Sequence, residues 1–165
     1  MRNADEWFEA YGESHQNPIN KRIHWICVPL IFTTLVGLLW GILLPLMIEG
    51  SFLEIPLTDY LNLGSLLLVL ALSYYSLISI TLTIGMVLVS TLSILGVFGL
   101  QRLGESIGIS LAQFSILIFI LAWIGQFIGH KIEGKKPSFF EDLQFLLIGP
   151  LWLLGFIYRR FGISY

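Results

Sequence analysis

Polar and apolar positions divide the chain into a short mixed N-terminal stretch and a series of long apolar runs with brief polar breaks. Residues 1–15 predict a short amphipathic helix: Trp7, Phe8 and Tyr11 share one side, while Asp5, Glu6, Glu9 and Glu13 fall mostly on the other. Asn17-Pro18 interrupts it, because a residue before proline avoids the helical region. The same pair suits a new start, with Asn17 as N-cap and Pro18 in the first helical position. Residues 25–48 carry no charge and are long enough to cross a bilayer with some tilt. A polar break follows with Glu49, Glu54, Pro56 and Asp59. The next uncharged run, 63–100, would measure about 57 Å as one helix, nearly twice the hydrocarbon thickness. It therefore divides into spans at about 63–81 and 83–100, with the hinge where Ser, Thr and Gly cluster in 79–85. "QRLGES" (101–106) reads as a loop and 107–128 as a fourth span. The C-terminal apolar segment, 143–158, is short for a crossing and contains Gly149-Pro150, so it predicts a re-entrant or fifth helix.

The expected fold is thus all-α: a polytopic membrane bundle of four transmembrane helices, the C-terminal element and the N-terminal amphipathic helix, in one domain over 1–165. Composition agrees. Hydrophobic residues make up 56% of the 165 residues and charged ones 12%, with mean hydropathy +0.82, whereas soluble domains carry about 25% charged residues. There is no basic run to track nucleic-acid phosphates. The single Cys27 excludes an intramolecular disulfide and a cysteine-rich metal site. The acidic N-terminus lacks the basic and apolar regions of a cleavable signal peptide. Arg2, Lys21 and Arg22 flank the first span, and Lys131, Lys135 and Lys136 follow the fourth, whereas the break after span one is acidic. The positive-inside rule puts both basic segments in the cytoplasm. Four crossings, an even number, return the chain to that side.

This parity brings the only three histidines, His15, His24 and His130, to one membrane face. On one unbroken helix the nine-residue spacing of His15 and His24 would point them apart. The Asn17-Pro18 break places them on separate elements that can fold together. Asn20 and Lys21 share the side of His24, and Gln126, His130 and Glu133 fall on one stripe of a helix continuing past 128. Neutral imidazole is the commonest protein metal ligand. Glu133 is a candidate fourth ligand, or a group that orients a histidine. A histidine and carboxylate set without thiolate suits Fe(II), Zn(II) or Mn(II), and spacing alone does not choose among them. Gln126, deep in an apolar run, needs a polar partner.

The N-terminal pattern YxxxHxNxxNKxxHWxxVP and the C-terminal "WIGQFIGHKIEGKKPSFFEDLQFLLIGPLW" together resemble the membrane 2-hydroxy fatty acid dioxygenase family, whose fungal type acts in phytosphingosine breakdown. The resemblance runs in order through nearly the whole chain, although the middle spans match only as hydrophobic helices. It implies an Fe2+-dependent α-oxidation in which a 2-hydroxy fatty acid and O2 give a fatty acid one carbon shorter. His15, His24 and His130 stand at the family's presumed iron-binding positions and would be catalytic. Asn20, Lys21, Gln126 and Lys135 are candidates for binding the substrate's polar head, with Arg22 a further partner for its carboxylate. The host membrane would be a bacterial inner membrane or the endoplasmic reticulum, with the histidines on the cytoplasmic face. The competing reading is a non-enzymatic protein in which a metal or histidine cluster ties the N-terminal helix to the loop after span four. A transporter is disfavoured, because spans one to four contain no charge.

Overall fold

The computed structural model describes residues 2–45, 50–52, 55–137 and 144–165. The last residues of the predicted first span, Glu49, Glu54 and the first residue of the predicted C-terminal segment lie outside them. Among the described residues there are six α-helices: α1 (Ala4–Gly12), α2 (Pro18–Trp40), α3 (Leu63–Ser76), α4 (Ile80–Ser106), α5 (Leu111–Glu133) and α6 (Phe145–Arg160). Before α3, Ser51–Phe52 pairs with Ile55–Pro56, and a 3-10 turn covers Leu57–Tyr60. Helices α2, α4 and α5 are long and apolar enough to cross a membrane, and α3, of 14 residues, is shorter. Large apolar side chains such as Ile84, Leu88, Leu121 and Ile124 stay exposed on α4 and α5. These features are compatible with a membrane protein.

Local chemistry explains most helix boundaries. Asn17 caps α2 by accepting from Ile19 N–H, with Pro18 in the first turn as the sequence predicts. Asn3 with Glu6, and Ser110 with Gln113, form capping boxes that start α1 and α5. The long apolar run breaks at Leu77–Ser79, at the leading edge of the predicted hinge, where the Ser79 hydroxyl caps α4.

The two largest differences from the expected boundaries are at the ends of α4 and α2. Residues 101–106 are the last turns of α4 and not a loop. Gln101 donates to Glu105 across one turn, and Gly108, with φ +73°, ends the helix. Charged side chains are good helix formers, and the left-handed glycine is the stronger stop. Helix α2 ends at Trp40, earlier than the predicted span. Beyond it Leu44 N–H donates to Leu61 O and Leu63 N–H to Ile42 O, so the chain is drawn into extended pairing ahead of α3. At the C-terminus, Gly149-Pro150 does not split α6, which is one continuous helix with Pro150 inside it.

Helix α5 runs antiparallel to α2 along a seam of small residues. A Cβ at Gly37 would sit 2.7 Å from Ser115 Oγ, one at Gly125 2.7 Å from Cys27 Sγ, and one at Gly129 would run into Asn20 Oδ1. Such residues let helix backbones approach closely in the absence of a hydrophobic driving force. Thr33 bonds Ser93, and Gly37 faces Val97, so α4 runs parallel to α2. Helix α3 starts beside Val36 and Trp40 and ends with the Tyr75 hydroxyl on Leu147 O of α6. The start of α2 and the end of α5 therefore meet at one end of the bundle. There α1 lays Trp7, Phe8 and Tyr11 on α6, in a core with Phe145, Ile148, Leu151 and Trp152.

Candidate metal centre

His15 leaves the end of α1, His24 lies near the start of α2, and His130 near the end of α5. All three are buried, His15 and His24 at 1% exposure. One ring nitrogen from each lies within 4.8 Å of the others, a grouping that could hold a metal ion. Ring centroids are 4.3 to 5.0 Å apart.

Each ring is oriented from behind. His15 Nδ1 lies 2.6 Å from Tyr11 O, and His24 Nδ1 2.9 Å from Asn20 O. A carbonyl only accepts, so both Nδ1 atoms carry the proton and both Nε2 atoms present lone pairs. Those Nε2 atoms face each other at 2.9 Å. Two lone pairs at that distance repel unless a cation lies between them. Two nitrogens bound to one metal at about 2.1 Å, at right angles, would be about 3 Å apart. His130 differs: its Nδ1 is buried without a hydrogen-bond partner among the described residues. A buried polar atom with no partner carries a desolvation cost, which a bound ion would remove. The residues thus fit a metal with imidazole ligands. Burial, reinforced by the neighbouring His24 ring, lowers the His15 pKa from its ordinary 6.5 to about 3, and a neutral imidazole is the form that binds metal.

Glu133, a candidate ligand from the sequence, falls outside this group. Its Oε1 accepts from Gln16 N–H at 2.7 Å, and its Oε2 from Asn17 N–H at 2.8 Å and Asn20 Nδ2 at 3.0 Å. The carboxylate clamps the end of α5 to the α1–α2 junction. Asn20 also donates to Ser14 O, so it braces the His15 loop. Lys135 Nζ donates to Glu13 O at the surface, and Lys21 is half-buried in the first turn of α2. Asn20, Lys21 and Lys135 do not line the cavity beside the histidines, and Gln126 does.

That cavity, of about 210 Å³, is lined by the three histidines, Tyr11, Gln126 and a larger number of apolar side chains. Sequence reasoning did not assign Tyr11 or Trp152 to the site. Tyr11 stacks on the His15 ring at 4.2 Å and 8°, and Trp152 lies 5.2 Å away. The Tyr11 to His15 spacing of one helical turn is the local signal for the first. Trp152 arrives only through the docking of α1 on α6.

A family described as 2-hydroxy-palmitic acid dioxygenase Mpo1-like matches residues 1–161. The chain belongs to the Mpo1-like family. No curated protein and no solved structure matches it. Membership in the Mpo1-like family bears out the resemblance of the two terminal motifs, and these motifs supply all three histidines.

Proposed function

We propose that the protein is a multi-pass membrane dioxygenase that uses Fe2+ to convert a 2-hydroxy fatty acid and O2 into the fatty acid one carbon shorter. The reaction balances with carbon dioxide and water as the other products. The observation that carries the reading is the set of three buried, pre-oriented imidazoles at the polar end of an otherwise apolar cavity. The family description names the substrate class.

In this reading His15 and His24 hold the iron through Nε2 and His130 through Nδ1. The Tyr11 and Asn20 carbonyls fix the first two rings and raise their basicity. Few protein ligands are wanted, since the substrate's 2-hydroxyl and carboxylate and O2 all need positions. Iron(II), when bound, would supply the one-electron chemistry that lets O2 react with the hydroxy acid. Tyr11 and Trp152 exclude water from behind His15, and Gln126 stands within reach of the polar head. Glu133 and Asn20 keep the His15 loop on the end of α5. Purely structural metal sites are closed, whereas this one opens on a cavity, which favours catalysis over the non-enzymatic alternative.

Membrane placement is part of the proposal: the alternating directions of α2, α3, α4 and α5 support four crossings, and the lysine and arginine bias of Lys21, Arg22, Lys131, Lys135 and Lys136 favours the cytoplasmic side for the histidine end. In a Cys27→Ser background, Gln16→Cys and Lys131→Cys should label from the same side of sealed vesicles. Labelling from opposite sides would overturn the topology.

The deciding experiment is iron analysis of purified protein with an assay for loss of one carbon from 2-hydroxypalmitate under O2. His15→Ala, His24→Ala and His130→Ala should each lose metal and turnover. Wild type that takes up no metal on anaerobic iron loading would sink the dioxygenase reading. Full turnover in all three variants would sink the ligand assignment alone.

A further inference from the structure

The cavity has a direction. Its polar groups, the histidines with Tyr11 and Gln126, gather at one end, and apolar side chains line the remainder. Helix α2 contributes His24, Val28, Ile31 and Leu35, a single face at helical spacing. Antiparallel to it, α5 contributes His130, Gln126, Trp123 and Phe119. From His24 to Leu35 and from His130 to Phe119 the two rows advance by the same number of residues, so Leu35 and Phe119 reach about the same depth. That depth is about 16 Å at 1.5 Å per residue. Leu67 of α3 also lines the cavity, from the element that starts beside Val36 and Trp40. Spread over such a length, about 210 Å³ makes a slot and not a chamber.

Among the described residues, one side of the slot is open. Helix α5 packs along α2 but hardly touches α3 or α6, which form the opposite wall. Leu146, one of the lining residues, is 41% exposed. A ligand can therefore enter sideways, from between the helices, without passing the histidines.

We propose that this slot holds the substrate's acyl chain. The head lies at the histidines, and Leu35, Leu67 and Phe119 at the far end set the preferred chain length. An extended chain advances about 1.2 Å per bond, so about thirteen bonds fill the slot. A shorter chain leaves apolar wall unfilled, and the burial it forgoes weakens binding by a similar amount for each missing carbon. The inference rests on the dioxygenase reading for the identity of the head group, while the slot itself rests on the lining.

Two measurements test it. The first compares 2-hydroxydecanoate with 2-hydroxypalmitate in wild type, Leu67→Trp and Phe119→Ala. Filling the far end with Leu67→Trp should move the kcat/KM ratio about tenfold toward the shorter acid, and Phe119→Ala should move it toward the longer. The second uses 2-hydroxypalmitate carrying a diazirine about thirteen carbons along, irradiated with the iron-loaded full chain in nanodiscs. Adducts should map to the peptides holding Leu35, Leu67 or Phe119. Unmoved ratios in both active variants, or adducts confined to the separate crevice between α2, α4 and α6 that Trp25, Leu92 and Leu153 line, would overturn the slot. If no acid is turned over while the adducts still map to the far end, the slot stands and the dioxygenase reading falls. Should Leu67→Trp fail to fold, Phe119→Ala and the adduct map decide.

Discussion

The two ends of the bundle satisfy their polar groups in different ways. Near Trp40 the side-chain bonds of the described residues are local. Asn62 and Ser65 cap each other three residues apart, Ser110 and Gln113 do the same, and Gln101 reaches Glu105 one turn away. At the histidine end they cross the chain: Glu133 accepts from Gln16 and Asn17, 117 and 116 positions away. Local bonding ends a helix and needs no particular neighbour. Bonding between distant segments makes an arrangement of side chains that exists only in the finished fold. Ring nitrogens there are also left facing one another, at the site of the candidate metal.

The difference can be broken most strongly at Glu133. Glu133→Ala removes the acceptor of three donors and should weaken metal binding about 10- to 100-fold, the usual effect of losing a group that orients a ligand. Glu133→Gln, which keeps an acceptor oxygen, should recover part of it. Titration of metal-free protein with Fe2+ under anaerobic conditions measures both. Unchanged affinity in Glu133→Ala would mean that the His15 loop holds itself.

The helix seam offers a matched pair. Gly129→Ala forces a methyl into Asn20 Oδ1, and Gly37→Ala forces one against Ser115 Oγ. Overpacking of this kind costs about 1–3 kcal/mol, so both should lower thermal stability in detergent. Only Gly129→Ala should also weaken metal binding, because Asn20 lies between His24 and the His15 loop. Equal metal affinity in the two variants would erase the distinction between the ends.

Acid should act on the histidine end first. The His15 pKa is about 3 in the fold, against its ordinary 6.5, so on acidification the unfolded chain takes up a proton that the fold refuses. The contribution is flat above about pH 6.5 and falls by about 1.4 kcal/mol per unit from there toward pH 3. Melting of metal-free protein between pH 7.5 and 5 should show this loss, and His15→Asn should reduce the slope. A slope unchanged by that substitution would place the acid sensitivity elsewhere. The smallest effect belongs to the other end: Asn62→Ala removes a helix cap and should cost about 1 kcal/mol with no change in metal content. Metal loss in that variant would show that the two ends are coupled.

Legibility in the sequence follows the same division. Asn17-Pro18 was readable as a helix start because capping and the geometry of proline act within a few residues. The meeting of three histidines was readable because the Asn17-Pro18 break separates two of them and an even number of alternating helices returns the third to the same end. The end of α4 was misplaced because charge was weighed above Gly108, whose backbone angle actually stops the helix. Glu133 looked like a ligand because its spacing from His130 is visible, whereas the backbone N–H groups of Gln16 and Asn17 that occupy it are not. The contact of Trp152 with His15 needed α1 to fold back onto α6, a packing event that no local pattern records.

The separation of Gln16 from Glu133 by 117 positions also orders events in time. As the chain emerges from the ribosome, His15 and His24 are exposed long before His130 is made. Two histidines on a nascent segment hold a metal weakly, and closing so long a loop costs entropy before any contact repays it. A site built on all three rings is therefore complete only once α5 has come back alongside α2.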